Sequence, residues 1–252
     1  MDNFDLAVLI SSLAVFGLYH VYFWSKVCTK TGAHTQLAFN LQNSLIWIDK
    51  HRVKDDAPSV TLAIQTLRNT ILVAIFVGGS SFQYAFLVMN SVTDISDSKT
   101  NARAIILAVL LFLSFLCWTG VIRYANHLGF VIGTMEYKAK KESEERAKVT
   151  SDIEAKGTDL IATNLDNDEL RDLLEESKFM VHRMLTNFSL GFRFLYMAIP
   201  YVFYSSGSIA LIVSTVLIFL FLLYLDHPHG FFVGPAKLFN PDQGQAVRAH
   251  ST

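Results

Sequence analysis

The sequence predicts an all-α fold: a polytopic transmembrane helix bundle with long helical loops on the cytosolic side. Three observations predict it. Hydrophobic residues make up 52% of the 252 residues, and mean hydropathy is +0.35. The apolar residues fall in blocks near the length of about 20 that spans a bilayer. Lys and Arg collect almost entirely in the segments between alternate blocks.

The first block runs from about Phe4 to Trp24 and is preceded by acid (Asp2, with Asp5 at its edge) rather than by Lys or Arg. A secretory signal peptide carries positive charge there, so the block reads as an uncleaved span with the N-terminus outside. The second block follows Leu67-Arg68-Asn69 and ends near Val92, and the third covers Ala104 to Ile122. The last apolar stretch, Phe188 to Leu225, would extend roughly 60 Å as one helix, against a hydrocarbon core of about 30 Å. "SSGS" at 205–208 supplies a turn at its midpoint, so the stretch reads as a hairpin of two short spans, five in all. One broken final span, four in all, is the alternative.

Five spans leave 25–68, 123–186 and 226–252 on one side. These segments hold six, ten and two basic residues, 18 of the 21, whereas the opposite side holds Lys99 and Arg103. The positive-inside rule then makes the basic side cytosolic. Residues 1–230 form a single transmembrane domain with cytosolic loops 25–68 and 123–186, and 231–252 is a C-terminal tail. Both loops look helical. "EYKAKKESEERAK" continues the third span as a solvated helix. "NLDNDELRDLLEESKFMVHRMLTNF" sets Leu170, Leu174, Val181 and Met184/Leu185 near one face, an amphipathic helix lying on the membrane or on its partner loop. "SDIEAKGTD" between them is a candidate hinge.

Several function classes are excluded or left bare. Net charge is −1, so no global field favours nucleic acid. Cys28 and Cys117 are far apart and form no CxxC or Cys/His ladder, which argues against a disulfide framework or a zinc site. No phosphate-cradling glycine loop, HExxH or GxSxG is present, so no catalytic residue is assigned. Within the assigned spans the one acid is Asp5, at the outer edge, which argues against a carboxylate proton relay.

A pair of residue types recurs at the cytosolic ends of three spans. Arg68-Asn69 opens the second, Arg123, Asn126 and His127 close the third, and Asn187 with Arg193 opens the fourth. Arg offers a planar fork of donors and Asn an amide beside it, so three converging sites would make a cup for a phosphate, a carboxylate or a lipid headgroup. The plainer reading is that Arg at these ends simply obeys the positive-inside rule. Arg193 differs, because it lies inside a span, where an arginine costs about 2–3 kcal/mol unless paired or snorkelling. Ser189, Arg193, Tyr196, Pro200 and Tyr204 share one side of that helix, a polar seam that should face the bundle. Backbone carbonyls, the amides of Asn69 or Asn126, or a bound phosphate are the expected partners of Arg193, since the assigned spans offer no acid at its depth.

His20 and His127 lie near the cytosolic ends of two spans and raise a bis-histidine haem; interfacial histidines that are merely hydrogen-bonded are the plainer reading. "DHPHG" at 226–230 lacks the ligand set of a metal site, and neither a metal nor a cofactor is assigned. In "VGGSSFQY" the small residues Gly78 to Ser81 would let another helix approach closely.

The same Arg/Asn positions carry a resemblance. From about Leu6 to Leu225 the sequence resembles the membrane family known as domain of unknown function 599. Arg68-Asn69 matches its Arg-Asn before the second span. Arg123 and Asn126 match its Arg-x-Tyr-Asn, and Phe188, Gly191, Arg193 and Tyr196 match its Phe-Asn-x-Gly-Leu-Arg with following aromatics. Leu67, Ala125 and Ser189 depart from the pattern. The resemblance implies a fold and a membrane location and supplies no reaction. The expected function is non-enzymatic, the binding or passage of an anion or anionic lipid near the inner leaflet. The alternative is a structural or assembly subunit with partner membrane proteins or further copies of itself.

Overall fold

The computed structural model describes residues 3–28, 35–53, 57–94, 98–156 and 167–226, and their regular structure is helical throughout. Six helices follow in order: α1 (Asn3–Cys28), α2 (Gln36–Val53), α3 (Ala57–Asp94), α4 (Ser98–Lys156), α5 (Asn167–Phe203) and α6 (Ser208–Asp226). Four are long and apolar enough to cross a membrane, over Phe4–Val27, Thr61–Val92, Asn101–Lys138 and Ser208–Asp226. The fifth expected span falls in α5, which is not among the four; its first half is charged and its apolar half carries Arg193.

Spans and loops merge into continuous helices. The 59 residues of α4 extend about 88 Å, far beyond a hydrocarbon core, so the charged run after Tyr137 is the water-soluble continuation of an apolar helix. Likewise the amphipathic segment expected near 170–188 is the first half of α5. It lies on its partner helix: Leu174, Val181 and Met184 are buried together with Leu67, Trp118, Val121, Ala125 and Leu128 from α3 and α4. The candidate hinge has helical backbone up to Lys156, and its remainder, with the C-terminal tail and the histidines of "DHPHG", lies outside the described residues.

Trp118 of α4 is the hub of this half of the bundle. It is fully buried, with Phe188 and Phe192 edge-on at ring-centroid distances of 5.1 and 4.8 Å. The indole fits because both neighbouring helices present glycine. A Cβ on Gly78 of α3 would lie 2.7 Å from the Trp118 Cβ, and one on Gly191 of α5 would lie 3.0 Å from the indole. The Ser114 hydroxyl donates to the Gly191 carbonyl at 2.8 Å, which keys α4 to α5 one turn away. The small residues read in "VGGSSFQY" are thus a packing site at Gly78, whereas Gly79 faces open space.

The other half is a pair of helices closed by α1. After Phe203 the chain makes one 3-10 turn, Tyr204–Ser206, and reverses through Gly207, whose φ of 119° is the left-handed region glycine tolerates. Tyr196 then meets Phe221, and Arg193 meets Asp226, so α5 and α6 are antiparallel, as the hairpin reading requires. Helix α1 runs parallel to α6. Three polar contacts climb the pair in register: Ser208 to Asp5, Ser12 to Thr215 at 2.9 Å, and Tyr19 to Asp226. On α1 these positions are seven residues apart, close to two turns, so they form one seam. At the Asp5 end Arg103 of α4 joins it, 3.7 Å from the Asp5 carboxylate and 3.8 Å above the Tyr204 ring.

Large apolar side chains cover the outside. Phe76 and Ile209 are 75% and 74% exposed, and Leu18, Leu72, Phe86 and Leu217 point outward with them. A surface this apolar on helices of this length is what a hydrocarbon solvent selects.

The Trp118 slot generates a paired test. Gly78→Ala should overpack the α3–α4 contact and lower stability by about 1–3 kcal/mol, while Gly79→Ala, next door and in open space, should be neutral or slightly stabilising. Thermal melts of the purified variants in detergent would check this; equal melting of the two would mean the close approach is absent.

Candidate functional site

Arg193 is where the structure corrects the sequence reading. It is 4% exposed, and its guanidinium Nη2 donates to the Asp226 carboxylate at 2.6 Å. Its partner is therefore a side-chain acid at the end of the last apolar helix, not a backbone carbonyl or the amide of Asn69 or Asn126. The sequence reading ended that span at Leu225 and so set Asp226 outside it. The helix in fact runs one residue further and is turned toward α5.

The pair is enclosed by α1. The Tyr19 hydroxyl donates to the second carboxylate oxygen of Asp226, and the Phe23 ring lies 3.5 Å from the Arg193 Cζ, a cation–π contact. Arg193 Nε donates to the Ser189 hydroxyl at 3.3 Å. Both carboxylate oxygens and two of the three guanidinium nitrogens are thus engaged. An arginine buried at this depth needs such a set, because an unpaired charge in a low dielectric costs several kcal/mol. The net charge of the cluster is zero, which removes the excess positive field an anion would seek there.

The remaining candidates fall elsewhere. Ser114 opposite Gly191 sets the level of Arg193 on α4, and Arg123 is nine residues on, about 13 Å along the axis. Leu67 lies against Gly129, so Arg68 is further still, and the three arginines are strung over roughly 20 Å instead of converging in one cup. Asn187 is half-buried, donates to the Arg183 carbonyl at 2.9 Å and occupies the space left by Gly120. Tyr196 packs between Phe192 and Phe221, ring centroids 5.9 and 5.5 Å away. His20 Nδ1 donates to the Phe16 carbonyl of α1 at 2.7 Å, and it lies beside the Tyr19 and Phe23 that enclose Arg193, roughly 20 Å along α5 from the level of His127, so no single iron could take both. Among the described residues no group of three His, Cys, Asp or Glu is placed to hold a metal.

Arg68, Asn69, Arg123, Asn126 and His127 are all exposed, and none has a hydrogen-bond or ion-pair partner among the described residues. Two of them do share a space. Arg123 and His127, with Tyr124, form the α4 wall of a groove of about 310 Å³ whose α5 wall is Glu176, Phe179 and Met180. Arg183 lies over Phe179, 5.2 Å from its ring centre. The groove lies beside Arg123–His127 of α4, about two to four turns before its charged extension begins after Tyr137. Its α5 wall went unread in the sequence, since Glu176 and Phe179 become neighbours of Arg123 only when α5 docks on α4.

These features define an all-helical protein with four helices long and apolar enough to cross a membrane, an internal ion pair and a groove lined by Arg123, His127 and Glu176. The chain belongs to the family described as protein of unknown function, DUF599, whose pattern it matches over residues 7–230. No curated protein and no solved structure matches it.

The enclosure of Arg193 can be dissected from α1. Tyr19→Phe removes a hydrogen bond to a charged acceptor and should cost about 1.5–3 kcal/mol, and Phe23→Leu, which removes the ring face but keeps the bulk, about 1–2 kcal/mol. Chemical unfolding in micelles reads both. If neither variant differs from wild type, α1 does not close over the pair.

Proposed function

We propose that this protein is a five-pass integral membrane protein, N-terminus outside, that binds the phosphate of an anionic lipid headgroup at its cytosolic surface. It is non-enzymatic on this reading. The parallel run of α1 and α6, with α5 antiparallel beside them, supports five crossings, because α5 then traverses the same layer as α6. The split of 18 basic residues against two supports the orientation.

The observation that carries the binding reading is the groove between α4 and α5. Arg123 supplies a fork suited to two phosphate oxygens and His127 a second donor, and both are left without internal partners. Phe179 and Met180 give the opposite wall an apolar body for the glycerol end of a lipid. Arg193 is not part of this site; its charge is held by Asp226. Arg68 and Asn69 on α3 are exposed at the same end of the bundle and extend the basic surface around it.

Two experiments test the reading. For topology, single cysteines at Lys141 and Ser206, in a background lacking Cys28 and Cys117, should react with an impermeant reagent from opposite sides, Ser206→Cys in intact cells and Lys141→Cys only after lysis. Reaction of Lys141→Cys in intact cells would overturn the orientation, and reaction of both from one side would overturn the fifth crossing. For binding, phosphatidic acid in mixed micelles should raise the melting temperature of the purified protein, phosphatidylcholine should not, and Arg123→Gln/His127→Gln should abolish the rise. An equal rise with inorganic phosphate would point to a soluble anion. No response to either, with fixed partner proteins co-purifying, would favour the assembly-subunit alternative.

A further inference from the structure

The groove holds a feature that an anion site does not need. Glu176 of α5 lines it opposite Arg123 and His127, yet it makes no ion pair with either, nor with any other described residue. Arg123, His127 and Glu176 are all exposed, and the carboxylate lies more than 4.0 Å from either cationic side chain's nitrogens. Opposite charges facing across one space, each unpaired, suit a guest that carries both signs at a matching separation. A bare phosphate gains from one wall and is repelled by the other.

We infer that the groove takes a phosphoester bearing a free primary ammonium, presented by a lipid: an amine-bearing phospholipid, with the phosphate on Arg123 and His127 and the ammonium on Glu176. The inference rests on the phosphate-binding reading above and sharpens it to a headgroup class. An ammonium has three donors and fits a carboxylate that is otherwise unpartnered, whereas a headgroup hydroxyl brings no charge to it. Phe179 stands one turn from Glu176 on the side of the apolar half of α5, so the ligand's hydrocarbon, joined through glycerol to the phosphate and not to the ammonium, has a wall to follow toward the bilayer.

The decisive comparison uses two lipids of equal net charge, phosphatidylserine and phosphatidylglycerol, titrated into the purified full-length protein in mixed micelles. Wild type should bind the serine lipid more tightly by about two- to fivefold, the size of one exposed ion pair. Glu176→Gln, at an exposed position where it need not disturb folding, should erase that preference while leaving phosphatidylglycerol affinity unchanged or slightly improved. Equal affinity for the two lipids in wild type, or a preference that survives Glu176→Gln, overturns the amine site but leaves the phosphate reading standing. Failure of both lipids to bind, with Arg123→Gln indistinguishable from wild type, overturns the phosphate reading itself. Soluble O-phosphoserine competing as strongly as the lipid would uphold the paired charges and overturn the lipid as their source.

Discussion

A charged arginine inside an apolar helix pair sets the terms for the rest of this molecule. Arg193 cannot be left bare in a low dielectric, and the carboxylate that meets it is at the far end of α6, brought back beside α5. That requires a reversal near Gly207, an antiparallel pair and a final helix long enough to end at Asp226. The same carboxylate then takes the Tyr19 hydroxyl, and the guanidinium face takes Phe23, so α1 is recruited parallel to α6. One electrostatic requirement thereby orders three helices. A matching knot of Arg103, Asp5, Tyr204 and Ser208 closes the other end of the same trio.

The two halves of the bundle are held by different physics. Around Trp118, helices α3, α4 and α5 are joined by shape: a Cβ on Gly78 would clash with the Trp118 Cβ at 2.7 Å, and one on Gly191 would press on the indole at 3.0 Å. Between α1 and α6 a seam of polar contacts runs beside apolar packing of Val8, Leu9, Phe16 and Tyr19 with Leu211 and Leu222, and interhelical hydrogen bonds in a membrane contribute only about 0.6 kcal/mol on average. In the second half the hydroxyls and two ion pairs, Arg193–Asp226 and Arg103–Asp5, set position and register, and the apolar clusters around Leu211 and Leu222 supply the bulk. Helix α5 belongs to both, Gly191 packing on Trp118 and Arg193, two residues on, reaching Asp226, so it transmits the geometry of one half to the other.

How much of this is legible in the sequence depends on the range over which each signal acts. Apolar length, the turn at 205–208 and the charged continuation of α4 are local: four helices are long and apolar enough to cross a membrane, the chain reverses at Gly207, and α4 runs on to Lys156. The polar seam through Ser189, Arg193, Tyr196, Pro200 and Tyr204 is also local; Arg193, Pro200 and Tyr204 are buried, and Ser189 and Tyr196 are half-buried. Asp226 is within reach of this reasoning: folding the chain back at 205–208 sets Arg193 opposite residues nearly two turns short of it, a gap that a long arginine side chain narrows. It was set aside because a span was ended at its last apolar residue, although a helix can carry one charge further and bury it. Tyr19 and Phe23 leave no such trace. They are two aromatics in an aromatic-rich helix, and their place against Arg193 follows from α1 docking, not from spacing. The same holds for the groove, where Arg123 and His127 were singled out but Glu176, on a helix that docks later in the chain, was not.

The dependence of the fold on one ion pair is most directly tested by a double-mutant cycle on Arg193→Met and Asp226→Leu, with unfolding free energies measured in the same micelles. If the two charges hold each other, each single variant leaves a buried charge alone and should lose about 3–5 kcal/mol, while the apolar double variant should lose much less than the sum, a coupling above about 2 kcal/mol. Losses that add to within about 0.5 kcal/mol would mean that the two residues do not interact, and that the closure of α1, α5 and α6 has another cause.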